Sequence, residues 1–583
     1  MVKSVCIYDS VLLSVSIFRR ISMKATKKIV SLTLAVILVM LAFAMPVSAA
    51  RALPLIIVDG IFSTALYQNI GTEEEKGILD FTEEEAEDLG VSIGMKFALG
   101  WMQYGMGKKD YQKFADEFLP AVNQLIEPIG YNADGTPKND TIGFHQQDKP
   151  MSEYTEEEQA DFGPFAQAYA KEYGAENVYT FRYDWREDPI AIAEELDAYI
   201  TAVKENTGAR KVNLIGYSMG ANIVLAYLNA HGGSDVNSLV FASPAWQGTS
   251  LAGNVVANKI EIDIFAVENY LVQMADVSAT THLTAFIISF IASSEGLSHE
   301  YFGDINYNIQ QLLPYIYKDT IIPNIAGMPG FWSLVPKEDF AAGKEFLFPE
   351  GIDPALEAKI DAYHNIQVNA KAIIENAMAD GMKFGIVGGY NCQMIPISSA
   401  YEQSDTIIDV KYWSGNATCS LYLQEYDDWD ELYTQKNKDG HNHVSWDNKV
   451  DASTCMFPEY TWFIKNMQHT YNADNGTTDV AMMLLGAKDQ VTVYTDMENY
   501  PQFFLYNTYK RTTKAMPLTI KIGDVDKSTD VSVVDARAAL KMAAGQIKPT
   551  DEQLGLADLD GDGKVTTEDV REILCLATGI EYK

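Results

Sequence analysis

Residues 211–228 read KVNLIGYSMGANIVLAYL, and this stretch limits the fold more than any other. KVNLI has the apolar, β-branched character of a buried strand, and ANIVLAYLNAHGG reads as a helix with a Gly stop. Between them stands Gly216-Tyr217-Ser218-Met219-Gly220. A strand that turns at once into a helix brings backbones so close that only Gly or very small residues fit beside the turn. Gly216 and Gly220 supply that room. The turn lifts Ser218 clear of the sheet and aims a helix N-terminus at it, so the Met219 N–H is an expected donor to a developing oxyanion. A serine hydroxyl is a weak nucleophile until a base takes its proton. A base and an acid are therefore expected further along the chain.

The flanking sequence keeps the same alternation. PLIIVDG (54–60), NVYTFRYDWR and VNSLVFASP read as strands, and IAIAEELDAYITAVKENTG as an amphipathic helix. Strand alternating with helix predicts an α/β fold, a mostly parallel sheet with helices on both faces. Residues 251–379 break the pattern with a long, apolar, largely helical run that includes LTAFIISFIA, read as a helical cap over Ser218. Lipid substrates need such apolar shelter. KFGIVGGYNC and EYTWFIKNMQH resume the alternation, and TDVAMMLLGA closes the unit near residue 487. The expected organisation is a domain over 50–487, a short extended segment plus linker over 488–518, and a small all-α domain over 519–583.

The chain has 583 residues and a formal net charge of −36, which argues against nucleic acid or an anionic membrane as partner. KKIVSLTLAVILVMLAFAMPVSAA has the basic start, apolar run and small-residue exit of a secretory signal peptide. That predicts cleavage after residue 49, a true start at Met23, a secreted protein and no stable membrane span thereafter. Export permits disulfides, and Cys419 with Cys455, which flank one compact-looking insertion, are the expected pair.

Dispersed, ordered matches carry a family resemblance. PLIIVDGIFSTAL, YDWR (183–186), LIGYSMG and FASPAWQGTSLAGN resemble, in that order, segments of the lecithin:cholesterol acyltransferase family. The resemblance implies an α/β-hydrolase fold, with a serine nucleophile that transfers acyl groups from esters and needs no cofactor. It carries the acid onto Asp405 in SDTIIDV, with Asp409 as competitor, and the base onto His469, with His441 and His443 as competitors. It puts the second oxyanion donor at Phe62, or else Ile61, because Asp59-Gly60 replaces the usual Pro-Gly. Tyr217 stands where the family usually has His, a departure that points toward a changed substrate. Asp184 and Arg186 read as a structural pair. A polysaccharide esterase, or a degenerate hydrolase serving as a binding module, is the alternative.

The C-terminus holds a duplication, GDVDKSTDVSVVDARAALKMAAGQ and ADLDGDGKVTTEDVREILCLATGI. The second copy places Asp558, Asp560, Asp562, the Lys564 carbonyl, Thr566 and Asp569 at the oxygen-donor spacing of a Ca²⁺ loop, with Gly563 at its sharp turn. The first offers Asp524, Asp526, Ser528, the Asp530 carbonyl and Asp535, with Thr529 where Gly is usual, and should bind more weakly. Paired loop–helix units of this kind resemble type I dockerins. That resemblance implies a cohesin partner on a scaffold or cell surface, contacted through Val533, Val534, Thr567 and Glu568.

Overall fold

The computed structural model describes residues 52–583, except 79–95, 97–99, 101–102, 105–108, 161, 262–265, 268, 271–272, 274–297, 398–401, 425–442, 470–475, 508–511, 516–522, 526–530, 550, 561–562 and 580–583. The expected signal peptide with Met23 lies outside the described residues, as does LTAFIISFIA. Among the described residues, no helix is long and apolar enough to cross a membrane.

Eight strands form the central sheet: β1 (Leu55–Val58), β2 (Val178–Phe181), β3 (Val212–Tyr217), β4 (Val236–Ala242), β5 (Lys383–Tyr390), β6 (Thr461–Lys465), β7 (Phe503–Asn507) and β8 (Thr512–Ala515). Their order is β8-β7-β6-β5-β4-β3-β1-β2. Every neighbouring pair is parallel except β7 with β8. The chain runs from β1 outward to β2 and returns to β3 on the other side of β1. The turns after β1 and β3 thus lie side by side at the strands' carboxyl ends, where open α/β sheets leave a crevice.

Side chains alternate across this sheet as the pleat requires. Ile56 and Val58 join Leu214, Phe241 and Ile386 in one core, while Leu55 and Ile57 join Ile215, Val240 and Val387 in the other. Helices α1 (Pro164–Tyr173), α2 (Pro189–Thr207), α3 (Gly220–His231), α4 (Ser250–Val256), α5 (Pro354–Val368), α6 (Ala370–Ala379) and α7 (Gly476–Gly486) cover the two faces. Leu196, Ile223 and Ile374 of α2, α3 and α6 fill the first core, and Phe165 and Leu484 of α1 and α7 the second. A separate three-stranded antiparallel sheet joins Leu66–Gln68 to Lys76–Ile78 and Ile142–Gly143.

Two expected boundaries change. Within the expected extended segment and linker, Phe503–Asn507 and Thr512–Ala515 are β7 and β8 of the main sheet and bury Phe503, Phe504 and Tyr506. β7 pairs with β6, some forty residues earlier, and β8 pairs with β7 alone; the long-range pairing that places both in the sheet leaves no local periodicity to read. The end of the expected cap, residues 354–379, forms α5 and α6, which pack beside α3 as ordinary covering helices; Ala370, Ile374 and Ala377 are fully buried.

The C-terminal repeats form α8 (Val533–Ala543), α9 (Asp551–Ala557) and α10 (Thr567–Thr578). Val525, Ala536, Ala539, Met542, Ala557 and Ile573 make a core of their own. The Gly523 N–H donates to the Leu556 carbonyl at 2.9 Å and ties the first repeat to the second.

α3 starts where space is scarcest. A Cβ on Gly220 would stand 1.9 Å from the Val58 carbonyl oxygen. Gly220→Ala should therefore force β1 and α3 apart and lower the unfolding free energy by about 1–3 kcal/mol in a urea titration. A wild-type midpoint would contradict the close approach.

Candidate active site

Ser218 directly follows β3 with a φ of 53°, a conformation that L-residues rarely adopt. Such strain persists only where the surroundings over-determine it. Here the Ser218 N–H donates to the Ala242 carbonyl at 3.1 Å, and the Ser218 carbonyl accepts from Ala221 and Ala245 at 3.2 and 2.9 Å. The turn after β1 lies against the hydroxyl, since a Cβ on Gly60 would be 2.7 Å from Ser218 Cβ and 3.0 Å from its Oγ.

The side chains of Ser218, His469 and Asp405 come together from three separate elements. His469 Nε2 is 3.0 Å from Ser218 Oγ, and its Nδ1 is 2.8 Å from Asp405 Oδ2. All three residues are buried. The second Asp405 oxygen accepts the Ile408 and Ile407 N–H groups at 2.8 and 3.2 Å, so the carboxylate cannot turn away. Asp405 only accepts hydrogen bonds, so the network assigns the ring proton to Nδ1 and leaves Nε2 to accept from the serine.

The competitors lie elsewhere. Asp409 accepts the Ser250 N–H at 2.8 Å and the Ser250 hydroxyl at 2.7 Å, which ties the acid loop to the start of α4. His443 is buried between the Gln502 side chain, 2.9 Å from Nδ1, and the Tyr494 hydroxyl, 2.7 Å from Nε2. His441 lies outside the described residues.

Tyr217 reaches His469. Its hydroxyl donates to the His469 carbonyl at 2.7 Å, and its ring stacks on the imidazole with centroids 5.3 Å apart and planes 27° apart. The His469 N–H donates to the Asp405 carbonyl at 2.6 Å. Sequence marks Tyr217 only as a departure from a pattern; its reach to a residue so far along the chain has no sequence signal.

The YDWR stretch braces the turn after β1. The Tyr183 hydroxyl donates to the Asp59 carbonyl at 2.6 Å, and Trp185 meets Phe62 edge-on at 4.7 Å. Asp184 and Arg186 form a buried fork, with Nε to Oδ1 at 2.9 Å and Nη2 to Oδ2 at 2.5 Å, as a structural pair should. Burial pushes the Asp59 carboxyl up, countered in part by the Arg182 guanidinium 3.8 Å away. Phe62 has a φ of 65° and an exposed ring; Met219 is buried at the N-terminus of α3. Among the described residues, neither backbone N–H donates to a protein acceptor.

The expected Cys419–Cys455 disulfide is absent, and both are free thiols. Cys419 sits opposite Val450, and its S–H points to the Ala417 carbonyl at 3.8 Å. Burial also pushes the Cys392 thiol up, with the neighbouring Asp405 charge adding to it, so this sulfur is no rival nucleophile.

In the C-terminal repeats, Asp558, Asp560 and Asp569 each offer a carboxylate oxygen within 4.8 Å of the others. Gly563 makes the sharp turn with a φ of 84°. The set is all hard oxygen, which suits Ca²⁺ and not a thiolate- or imidazole-seeking metal. Burial pushes the Asp569 carboxyl up, but hydrogen bonds from Thr566, Leu559 and Asp560 outweigh it and hold it below the usual range. The first repeat repeats the frame: Ser532 caps α8 and Asp535 closes the capping box, as Thr566 and Asp569 do for α10. Asp524 and Asp535 are buried there; Asp526, Ser528, Asp530 and Asp562 lie outside the described residues. Val533, Val534, Thr567 and Glu568 are exposed on the first turns of α8 and α10.

A family model for the alpha/beta hydrolase fold matches residues 139–273. With the sheet order above, the protein has the α/β-hydrolase fold. Among solved structures, the chain is similar to one in the Tle4–Tli4 complex at 12% identity and a TM-score of 0.27, over 58% of this chain and 74% of that one. A mutant of a protein assigned as an epoxide hydrolase from Pseudomonas aeruginosa is 12% identical with a TM-score of 0.12, over 37% and 64%. A protein assigned as an aryl esterase from Burkholderia cenocepacia is 15% identical with a TM-score of 0.13, over 36% and 88%. Overlaps this slight carry no argument about substrate. No curated protein matches the chain.

The Asp409 tether has a pH signature. Burial pushes this carboxyl up to about 6, against the Ser250 hydrogen bonds that lower it. A raised acid favours the folded state while neutral, so its contribution is full below about pH 4 and is lost as pH rises through about 6. Relative to Asp409→Asn, the wild type should lose about 3 kcal/mol between pH 4 and pH 6.5 in urea unfolding. Parallel profiles would contradict it.

Proposed function

We propose that this hydrolase is a serine esterase or lipase of the lecithin:cholesterol acyltransferase type. The hydrogen-bonded set Ser218, His469 and Asp405 carries the reading. In the reaction, Ser218 Oγ attacks the ester carbonyl as its proton passes to His469 Nε2. Asp405 holds the ring and stabilises the imidazolium. The Phe62 and Met219 N–H groups receive the oxyanion. His469 then returns the proton to the departing alcohol oxygen, leaving an acyl group on Ser218. Water, or another hydroxyl in a transferase, removes that acyl group with His469 again acting as base.

The intact set argues against a degenerate binding module, since such a module has no use for three buried groups aligned for proton transfer. Ser218→Ala should lower kcat on p-nitrophenyl esters by at least about a thousandfold with the fold retained. Unchanged turnover would remove Ser218 from the chemistry. An ester series from acetate to decanoate reads the acyl pocket. A preference for longer chains fits the lipase, and a sharp preference for acetate fits an esterase of polysaccharide-linked groups.

The C-terminal repeats read as a dockerin that attaches a secreted enzyme to a cohesin on a scaffold or cell surface. Asp558, Asp560, Asp562, Asp569 and the Lys564 carbonyl would hold one Ca²⁺, and the weaker first loop a second. The ion would replace the repulsion among these carboxylates with attraction and stabilise the repeats. In calorimetry of the full chain, EDTA should lower the unfolding temperature of the repeats and leave the hydrolase transition in place. Asp560→Ala should do the same without chelator. Unfolding traces that are identical with and without Ca²⁺ would rule out the metal assignment.

A further inference from the structure

We propose that Tyr217 is a positioning residue for His469, holding the main chain and ring of the base from the residue next to the nucleophile. The inference rests on the serine-hydrolase reading and extends it beyond the three reacting side chains. Tyr217 makes two separate interactions with His469: its hydroxyl donates to the carbonyl at 2.7 Å, and its ring stacks on the imidazole. The other main-chain group of His469, its N–H, donates to the Asp405 carbonyl at 2.6 Å.

Both backbone groups of the base are therefore held, one by the acid and one by the neighbour of the nucleophile. This creates a closed circuit. Ser218 is bonded to Tyr217, Tyr217 reaches His469, His469 reaches Asp405, and the side-chain chain Ser218–His469–Asp405 returns along the same path. A proton shuttle needs this restraint. The imidazole must stay within hydrogen-bond reach of Oγ and of the leaving oxygen, and small misplacements are costly in rate. The stacked ring limits tilting of the imidazole, and the hydroxyl fixes the height of its backbone. The Phe165 ring, 6.4 Å away, backs the Tyr217 ring from α1.

The test uses the full-length protein with two variants and two measurements. One measurement is the rate at which a fluorophosphonate labels Ser218, which needs no knowledge of the natural substrate. The other is kcat and KM on a p-nitrophenyl ester. Tyr217→Phe keeps the stack and loses the hydroxyl; labelling rate and kcat should both fall about threefold to tenfold, the worth of one hydrogen bond, with KM within about twofold. Tyr217→Leu loses both interactions and should fall about a hundredfold, with Phe the partial rescue of Leu. If Leu does not fold, the near-isosteric Phe variant still decides. Wild-type labelling by both variants, or a change in KM alone, would overturn the proposal and turn Tyr217 into a bystander or a substrate contact. Failure of the wild type to label at Ser218 would instead overturn the hydrolase reading, and this inference with it.

Discussion

How closely the main chain of α3 approaches that of β1 governs the rest of the structure. Gly220 sits where any side-chain atom would enter the Val58 carbonyl. That approach leaves β3 no room for a gradual exit, so the chain turns sharply at Ser218 and holds it at positive φ. The same crowding presses Gly60 against Ser218, which puts the turn after β1 beside the hydroxyl. Ser218 and the expected oxyanion donors are thus arranged by backbone packing between parallel strands, and no long side chain has to be ordered to place them.

His469 and Asp405 arrive differently. His469 follows β6 and Asp405 lies in the loop after β5, so neither is fixed by a tight turn of its own strand. Main-chain hydrogen bonds do the fixing instead. The His469 N–H meets the Asp405 carbonyl, the Asp405 carboxylate meets two loop amides, and Tyr217 meets the His469 carbonyl. A second set of bonds, from Asp409 to Ser250 and from the Thr249 hydroxyl to the Ile407 carbonyl, fastens the same loop to α4. Asp405 is held from both sides, and the segment that follows β4 is anchored to the same loop by Asp409.

Much of this was legible in the chain. Ser218 could be read because its constraint is local: a strand, two glycines and a helix within eighteen residues. Asp405 and His469 were carried over by the family resemblance, with Asp409, His441 and His443 as competitors that the chain order after Ser218 also allows. Hydrogen bonding separates them, and hydrogen bonding across loops has no sequence period. β7 and β8 fell in a segment read as short extended chain plus linker, because their place in the sheet depends on β7 pairing with the distant β6. Cys419 and Cys455 looked like a disulfide because both border one insertion, yet strand register puts Val450 opposite Cys419. The carboxylate cluster at Asp558, Asp560 and Asp569 was readable for the same reason as Ser218, since its oxygens lie within a dozen consecutive residues.

Sequence by itself determined what depends on neighbours along the chain: the parallel α/β sheet, the nucleophile turn, the paired loop–helix units and the oxygen-donor spacing. Tertiary structure alone decided which aspartate meets His469, that Phe503–Asn507 and Thr512–Ala515 complete the sheet, that α5 and α6 cover it, and that Tyr217 faces His469. The physical reason is range. Backbone sterics and side-chain periodicity act over a few residues and leave a pattern, whereas a hydrogen bond between Tyr217 and His469 joins residues that meet only after β3, β5 and β6 have aligned.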